Sequence, residues 1–464
     1  MAGKSELQYA GEYLIEKCSI LTVSGTELDI IPVVEAINLY EDIYSMTLSG
    51  DIAIKDTNNL VANAPIIGEE KLLLKIMTPQ SNPKSHTDTP ETIIDYIVTP
   101  LHIYKVNVVT GSGENALIVS LNFTTQEAMR NQVTRISQSY RGEPTEIVEK
   151  IMRDENYLDS TRKLFVEPTA NKIKMVAPNK KPFAVIEHLT EISNSKQHRD
   201  APTYLFYETT KGFHYRSIDG LCDQDPAMTF NENIPDTPDE KGVIGNAKKN
   251  LETMNEMEVV TSRDTIYNTN HGFYSSKLRV HDLYNKTVKD YDFSYLDNFD
   301  QDTHTAGNSP LISKSKDART GKDLSEYSDA RLFVTTTSAA KHFYESESYP
   351  YQGDNYEKTL QRRMSRVTQL KRGIKVNFLA PGQTYLQAGD TVELNIENTS
   401  ATTADKKDKQ LAGKYLVTAL RHEFQTSDPR HTIYVEAVKD SLKEDLPSTG
   451  AQYSNTAPAE KITL

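Results

Sequence analysis

Histidines are the first residues to test for acid–base or metal chemistry in this sequence. His102 and His422 fall in or beside strand-like patterns, whereas His281 and His431 stand next to charged neighbours. Enzymes and metal sites place such groups at characteristic spacings. The sequence has no His-Glu-x-x-His, Gly-x-Ser-x-Gly or dinucleotide-binding motif and no phosphate-binding Walker loop. We therefore interpret the histidines as ordinary polar or half-buried residues.

Carboxylates could hydrolyse glycosides if two of them converged across a cleft. Asp56, Glu69 and Glu70 are conspicuous candidates, but each lies at a predicted strand end or turn, where acidic side chains are commonly just solvated. The sequence therefore gives no support for a hydrolase. It predicts no catalytic residue, no cofactor-binding residue and no metal ligand, and we expect a protein that is not an enzyme.

A local basic cluster comprises Arg362, Arg363, Arg366, Lys371 and Arg372. Charges grouped in this way usually form the solvated face of a strand or a helix. We favour that interpretation over a contact with an acidic partner.

The composition indicates a soluble chain of three or four domains, since 464 residues exceed what one core usually serves. No apolar run reaches the roughly 18 residues that a membrane-spanning helix needs, and no signal-peptide core is visible. The two cysteines are too few for a disulfide framework. We expect a protein made in a cytoplasm, without membrane insertion. Its net charge of −13 argues against tight, nonspecific binding of nucleic acid.

The first third of the chain predicts β-structure. Apolar residues alternate over residues 46–54, which is the period of a half-buried strand. A polar loop is predicted at 79–90, and a Gly-rich hairpin turn at 110–114. Strands joined by short turns favour a small antiparallel barrel or sandwich over residues 1–125.

Residues 126–220 change character and predict an α+β domain. Pro144 and Pro182 stand where a helix tolerates proline in its first turn, and each precedes an apolar stripe at helical spacing. A strand hairpin is predicted around Gly212.

The remaining ranges complete an α+β, β-dominated layout. We expect a connector at 221–250, a second β domain built from 251–295 and 360–440, a polar insertion at 296–359 and a flexible C-terminal tail at 441–464.

Several stretches, in this order along the chain, resemble the baseplate central hub proteins of contractile-tailed phages. That family includes the hub part of type VI secretion spike proteins. The stretches are GDIAIKD (50–56), PIIGEEKL (65–72), PNKKPFAVIEHL (178–189), YLFYE (204–208), GFHYRSI (212–218), GFYSSKL (272–278), PGQT (381–384), AGDTV (388–392) and GKYLVT (413–418).

The resemblance implies a structural protein of the virion, located in the tail baseplate and assembled in the host cytoplasm. Each chain would carry two antiparallel β-barrel tube domains with the α+β domain between them. Three chains would form a homotrimeric, pseudo-sixfold ring that joins the sixfold tail tube to the threefold central spike. The ring would line the channel for DNA ejection.

The same resemblance implies a set of partners. They are the central spike protein, the tail tube initiator and tube proteins, the tape measure protein and the baseplate wedge proteins. DNA would pass through the lumen without specific binding.

Two other functions are compatible with the sequence. A tail-associated cell-wall hydrolase would need a cleft with convergent carboxylates or a metal site. A receptor- or carbohydrate-binding tail protein would need an exposed groove lined by aromatic residues, and the 25 tyrosines could supply one.

Overall fold

The computed structural model describes residues 9–56, 63–64, 66–79, 93–109, 117–232, 250–261, 264–307, 309–337, 356–397 and 407–444. Over these ranges the chain has the predicted β-dominated α+β fold. The hairpin turn predicted at 110–114, the loop predicted at 79–90 apart from its first residue, and positions 445–464 of the predicted tail lie outside the described residues.

The first β domain contains eight strands. They are β1 (Leu14–Leu21), β2 (Glu27–Asp29), β3 (Val34–Asp42), β4 (Ser49–Asp56), β5 (Lys71–Met77), β6 (Ile93–Asp95), β7 (Leu101–Val109) and β8 (Leu117–Thr124). They pair antiparallel in the order β2-β1-β5-β7-β8-β4-β3, with β6 on β5. Ile52 and Ile54 of β4 point into the core, as the alternation predicted. Gly50 is required there because a Cβ would lie 2.3 Å from the Phe123 ring.

The α+β domain follows directly. Its elements are α1 (Gln126–Val133), β9 (Ile136–Gly142), α2 (Pro144–Arg153), β10 (Leu164–Val166), β11 (Ile173–Lys180), α3 (Pro182–Ile192), β12 (Tyr204–Thr209), β13 (Gly212–Ser217) and α4 (Ile218–Cys222). Both helices predicted from a proline begin at that proline, and Glu143 and Glu146 form a capping box at the start of α2. The predicted hairpin is β12–β13, and β10 adds to it in parallel.

The described residues after α4 form fourteen strands and α-helices, together with three short 3-10 helices. The labelled ones are β14 (Met228–Glu232), β15 (Thr253–Thr261), α5 (Thr265–Asn270), β16 (Ser275–Asp282), β17 (Thr287–Ser294), α6 (Tyr295–Asn298), β18 (Ser309–Pro310), β19 (Leu332–Thr336), α7 (Tyr356–Arg372), β20 (Ile374–Pro381), β21 (Thr391–Asn395), β22 (Gly413–Gln425), β23 (Arg430–Lys439) and β24 (Ser441–Leu442). Six of them close into a barrel in the order β22-β21-β14-β15-β20-β23. The barrel is mixed, and not antiparallel as expected, because β14 runs parallel to both of its neighbours.

A second closed barrel, expected in the first β domain, is not found among the residues that the structure describes. No ladder there joins β1 to β3. The intervening chain forms a short 3-10 helix, Ile31–Val33, whose Pro32 has no N–H to give to a ladder. The bond from the Ile30 amide to the Cys18 carbonyl only extends the β1–β2 ladder and does not reach β3.

The strands of the barrel do not coincide with the ranges predicted for the second β domain. β14 lies within the range 221–250, where a connector was predicted, and only Met228 and Phe230 give it a buried face. β16 pairs with β17 on one side and with β19 on the other, in a separate small sheet. The range 251–295 therefore contributes β15 alone to the barrel.

β22 joins the two β domains into one sheet. One edge of β22 pairs with β21 over residues 413–416 and with β3 over residues 419–425, while its other edge pairs with β23. The ladder with β3 is antiparallel and puts Arg421 opposite Tyr40. In the described part of the chain, no helix is long and apolar enough to cross a membrane.

Replacing Val392 by Asp tests the register of the barrel. Val392 is fully buried in β21 between Met228 of β14 and Tyr415 of β22. We expect Val392→Asp to destabilise the fold by about 3 kcal/mol or more, because it buries an unpaired charge. Thermal unfolding followed by circular dichroism measures the loss. The adjacent Glu393 points away from the core, so Glu393→Asp should leave the melting temperature unchanged. Equal stability of the two variants would show that the register is wrong.

Candidate functional site

A polar face covers the continuous sheet on the side away from the two apolar cores. One row across it is Lys105, Asn122, Asp51, Asn38 and Glu423, each opposite the next on a neighbouring strand. The Asn38 amide donates to Asp51 Oδ2 at 3.0 Å. On the same face the Asn107 amide donates to Asn122 Oδ1 at 3.0 Å. A face of hydrogen-bonded polar side chains can remain hydrated without a covering layer.

The junction of β3, β22 and β23 forms an aromatic and cationic centre on this polar face. The Arg421 guanidinium lies 4.8 Å from the Tyr434 ring and 5.9 Å from the Tyr40 ring. It also donates two bonds to Asn38 Oδ1, at 3.0 and 3.1 Å. These contacts fix the guanidinium across the boundary between the two β domains.

A groove of about 400 Å³ follows the same boundary. Its lining includes the carboxylates of Asp42, Glu256, Glu258 and Glu436, with Arg421 as the cation. Lys375 lies nearby but already binds Glu436 at 2.9 Å. The groove is therefore acidic, and it repels phosphate groups while remaining open to water and to cations.

Glu41 of β3 lies beneath the groove, where three domains meet. The carboxylate is fully buried and accepts one bond from the Thr210 amide of the α+β domain, at 2.6 Å. It accepts another from the Ala388 amide of the barrel, at 2.8 Å. Burial raises the pKa of Glu41 to about 7, although both N–H donors favour the ionised form. One side chain thus holds three domains in register.

Glu208 makes a second buried junction, between the α+β domain and the first β domain. Its Oε2 accepts bonds from the Leu48 amide at 3.0 Å and from the Thr125 hydroxyl at 2.8 Å. Burial raises the pKa of Glu208 to about 8, while the Arg162 guanidinium, 3.4 Å away, acts in the opposite direction. The pair is buried on both sides and serves as a structural anchor.

Arg366 corrects the interpretation of the basic cluster as a solvated face. This side chain of α7 is fully buried, and its guanidinium donates to Asp440 and to the Thr303 carbonyl. Asp219 lies 3.8 Å away on the other side. Burial opposes ionisation of Asp440, but Arg366 and His304 together hold its pKa well below the usual range. Arg366 therefore ties α7 to the α+β domain and to the end of the barrel.

The other basic residues of the cluster also contact the chain itself. Arg362 binds Asp302 at 2.7 Å. Lys371 lies 5.0 Å from the Tyr44 ring, and the Arg372 guanidinium 4.0 Å from the Tyr267 ring. The grouping of these charges in the sequence gave no signal for the tertiary contacts that they make.

The four candidate histidines do not form a site. His102 is half-buried in β7 and His281 lies in β16, but His422 and His431 are completely buried and adjacent. Their facing ring nitrogens are 3.1 Å apart. Burial lowers the pKa of His422 to about 3 and holds the pKa of His431 well below its usual range, so both rings are neutral.

This histidine pair is part of the contact between the two β domains. His431 Nδ1 lies 3.3 Å from the Thr78 hydroxyl of the first domain. The imidazole packs so closely on Gly382 that a Cβ there would lie 2.0 Å from the ring. The stretch PGQT at 381–384 contributes to the resemblance in the sequence, but it gave no signal for this contact.

The candidate carboxylates also stay apart. Glu70 is buried and accepts bonds from the amides of Ile67, Gly68 and Glu69, which makes it the organiser of its own turn. Asp56 ends β4. Over the described ranges, no group of three or more His, Cys, Asp or Glu residues could hold a metal ion.

The two β domains repeat one strand order. The five-strand path β3-β4-β8-β7-β5 corresponds to β15-β20-β23-β22-β21, and all pairs along both paths are antiparallel. β7 and β22 each carry a bulge at the same point, after Ile103 and after Val417. The amides of these two residues donate to Glu70 and Asp390, which precede β5 and β21.

The fold is similar to that of known tail proteins. The tail protein from Neisseria meningitidis MC58 matches with a TM-score of 0.51 and 11% identity over 92% of this chain and 97% of that chain. The chain has the fold of a tail protein. This confirms, for the fold, the resemblance that the sequence predicted.

Two further solved structures are similar at lower scores. The 43 kDa tail protein of prophage MuSo2 from Shewanella oneidensis has a TM-score of 0.49 and 10% identity, covering 92% of this chain and 99% of that one. An E. coli component of the type VI secretion system has 0.40 and 8%, covering 93% and 77%. No protein-family model and no curated protein matches the sequence.

The buried Glu41 predicts a specific dependence of stability on pH. Its folded-state pKa of about 7 exceeds the ordinary value of 4.5, so the folded chain keeps a proton that the unfolded chain releases. The resulting stabilisation is complete below about pH 4.5 and is lost as the pH rises through about 7. Glu41→Gln cannot titrate, so its melting temperature should fall less steeply between pH 5 and 7.5.

Glu41→Gln should also melt lower than the wild-type chain at pH 5, because its amide group faces a backbone donor. Differential scanning fluorimetry across this pH range measures both effects. Glu155→Gln, at an exposed position of the α+β domain, serves as the control and should follow the wild-type curve. Identical pH profiles for all three proteins would contradict the assignment.

Proposed function

We propose that this chain is the structural hub of a contractile-tail baseplate, joining a sixfold tail tube to a threefold central spike. The observation that carries the proposal is the repeated strand order of two β domains, joined edge to edge in a chain with the fold of a tail protein. A chain with two similar domains can present six docking positions from three copies.

The polar sheet face supports a role as the channel lining. Closing the sheet into a ring would put the apolar cores on one side of it and the hydrogen-bonded polar face on the other. That face is rich in Asn, Asp and Glu, and its groove is acidic. A hydrated surface of this charge would let DNA and an extended tape measure protein pass without adhering.

The proposed partners lie at the two ends of the ring. The tube initiator and tube proteins would bind at one end and the central spike at the other, with baseplate wedge proteins around the outside. In the described part of the range 296–359, β18 pairs with β24 and β19 pairs with β16, and neither strand takes part in the β3–β22 ladder. This range is our candidate for a wedge contact.

The geometry also weighs against the two alternative functions. The buried carboxylates Glu41 and Glu208 bind backbone amides of neighbouring domains and do not face a common cleft. Tyr40 and Tyr434 flank Arg421 and leave no flat aromatic platform for a sugar. A structural role accounts for all of these contacts.

Native mass spectrometry and negative-stain electron microscopy of the purified full chain test the proposal. We expect three chains in a ring with a central opening. Incubation with purified peptidoglycan should release no soluble fragments. A monomer, or a chain that degrades peptidoglycan, would contradict the proposal.

A further inference from the structure

In the described part of the chain, one edge of β15 and one edge of β7 are only partly covered, and these strands end the path β7-β8-β4-β3-β22-β23-β20-β15 through the continuous sheet. β15 pairs with β14 only at Thr253 and Met254, and beyond them no described strand lies along that edge. β7 pairs with β5 only at Leu101 and His102, and the Ile103 amide still donates to the Glu70 carbonyl. Beyond Tyr104, which lies next to Gly68, no described strand covers this edge of β7. Open edges have unpaired N–H and C=O groups that a further strand can bind.

Both uncovered edges carry exposed apolar side chains. Val259 and Val260 of β15 are 38% and 47% exposed, and Tyr104 of β7 is 48% exposed. Successive residues of a strand point to opposite faces, so the β15 edge is apolar on both sides. An edge that stayed in water would favour charged residues or proline throughout, whereas here the two adjacent valines follow the exposed Glu258.

The strand repeat shows what covers such edges. β7 corresponds to β22, since β5 pairs with the start of β7, β21 pairs with the start of β22, and both β7 and β22 have a bulge just after that contact. β15 corresponds to β3, since each pairs with the next strand of its own path. Within the chain, the free part of β22 is covered by β3. The equivalent partner for β7 is β15, but β15 lies at the other end of the same sheet.

We propose that β15 of one copy pairs antiparallel with β7 of the next copy, repeating the β22–β3 ladder between chains. This inference rests on the ring of the proposed function and names the surface that closes it. The repeat also sets the register. Asn38 pairs with Glu423 inside the chain, and the corresponding residues are Glu258 and Val109.

The contact is head to tail, so it produces either a closed ring or an open filament. If the ladder between chains repeats the ladder within the chain, each domain follows the previous one by the same rotation. In the sixfold ring of the proposed function, six such steps complete a turn, so three chains close it. The bulges in β15 do not prevent such pairing, since β3 has a bulge after Val34 and still pairs with β22.

A cysteine pair tests the ladder and its register. Residues directly opposite in an antiparallel ladder have Cα atoms about 4.5–5.5 Å apart, which a disulfide can bridge. In the full chain with Glu258→Cys and Val109→Cys, mild oxidation should give a covalent three-chain species on a non-reducing gel. Each single variant should stay a single chain. The native Cys18 and Cys222 are buried and do not interfere.

Two matched pairs serve as controls. Asn38→Cys with Glu423→Cys bridges the equivalent positions inside one chain, so it should form a disulfide and still migrate as a single chain. Glu258→Cys with Lys105→Cys shifts one partner by four residues along β7, or about 13 Å, and should not link.

A second variant avoids any dependence on disulfide formation. Val260→Asp puts a charge on an exposed position of the uncovered edge, so the isolated chain should keep its wild-type circular dichroism spectrum. We expect native mass spectrometry to show single chains, because the charge would be buried against β7 of the next copy.

The outcomes separate this inference from the proposed function. Wild-type rings whose 258–109 pair does not link, or that persist in Val260→Asp, would overturn the β15–β7 contact and leave the hub proposal standing. A wild-type chain that is monomeric would overturn both. Links at 258–109 together with loss of the ring in Val260→Asp support the contact.

Discussion

The antiparallel ladder between β22 and β3 is the contact on which the rest of the structure depends. It merges two β domains that are far apart in sequence into one sheet and fixes their relative rotation. Side-chain contacts next to this ladder further fix the relative position of the domains. Glu41 reaches from β3 to amides of both other domains, and the His422–His431 pair packs against Thr78 and Gly382 at the other end. Two domains joined in this way move as one body.

Buried charges determine how the α+β domain and α7 are attached. Two groups of charged side chains are removed from water. One is the pair of Glu208 and Arg162, and the other is Arg366 with Asp219 and Asp440. Such pairs add little net stability compared with apolar packing, but a misplaced partner would leave a charge unpaired at a cost of several kcal/mol. They therefore select one arrangement of the domains. A ring subunit that must present edges at a fixed angle needs this kind of definition.

Local pattern in the sequence predicted the elements that depend on local physics. The alternation at 46–54 gave β4, and prolines with apolar stripes gave α2 and α3, because period and first-turn geometry are properties of neighbouring residues. The predicted barrel closure in the first β domain failed at Pro32, where a 3-10 helix stands in place of a ladder. The parallel strand β14 was missed because only two of its side chains reach the core.

The functional surfaces were the hardest part to predict, since they depend on pairing across the whole chain. Arg366 looked like a solvated charge in the sequence and is buried, because its carboxylate partners come from positions far before and after it. Glu41 gave no signal at all: its acceptor role requires Thr210 and Ala388 to arrive from other domains. The repeat of the two β domains is likewise a property of strand order, and no short sequence period accompanies it.

The central claim is that the boundary between domains inside one chain and the boundary between chains are the same contact. A density map of the assembled particle, reconstructed by electron cryomicroscopy with threefold symmetry only, tests it most directly. We predict six β domains at one radius, successive domains related by about 60°, and a continuous sheet on the channel side. A threefold particle whose first and second β domains lie at different radii, or whose chains meet through the β16–β17–β19 sheet, would contradict the account.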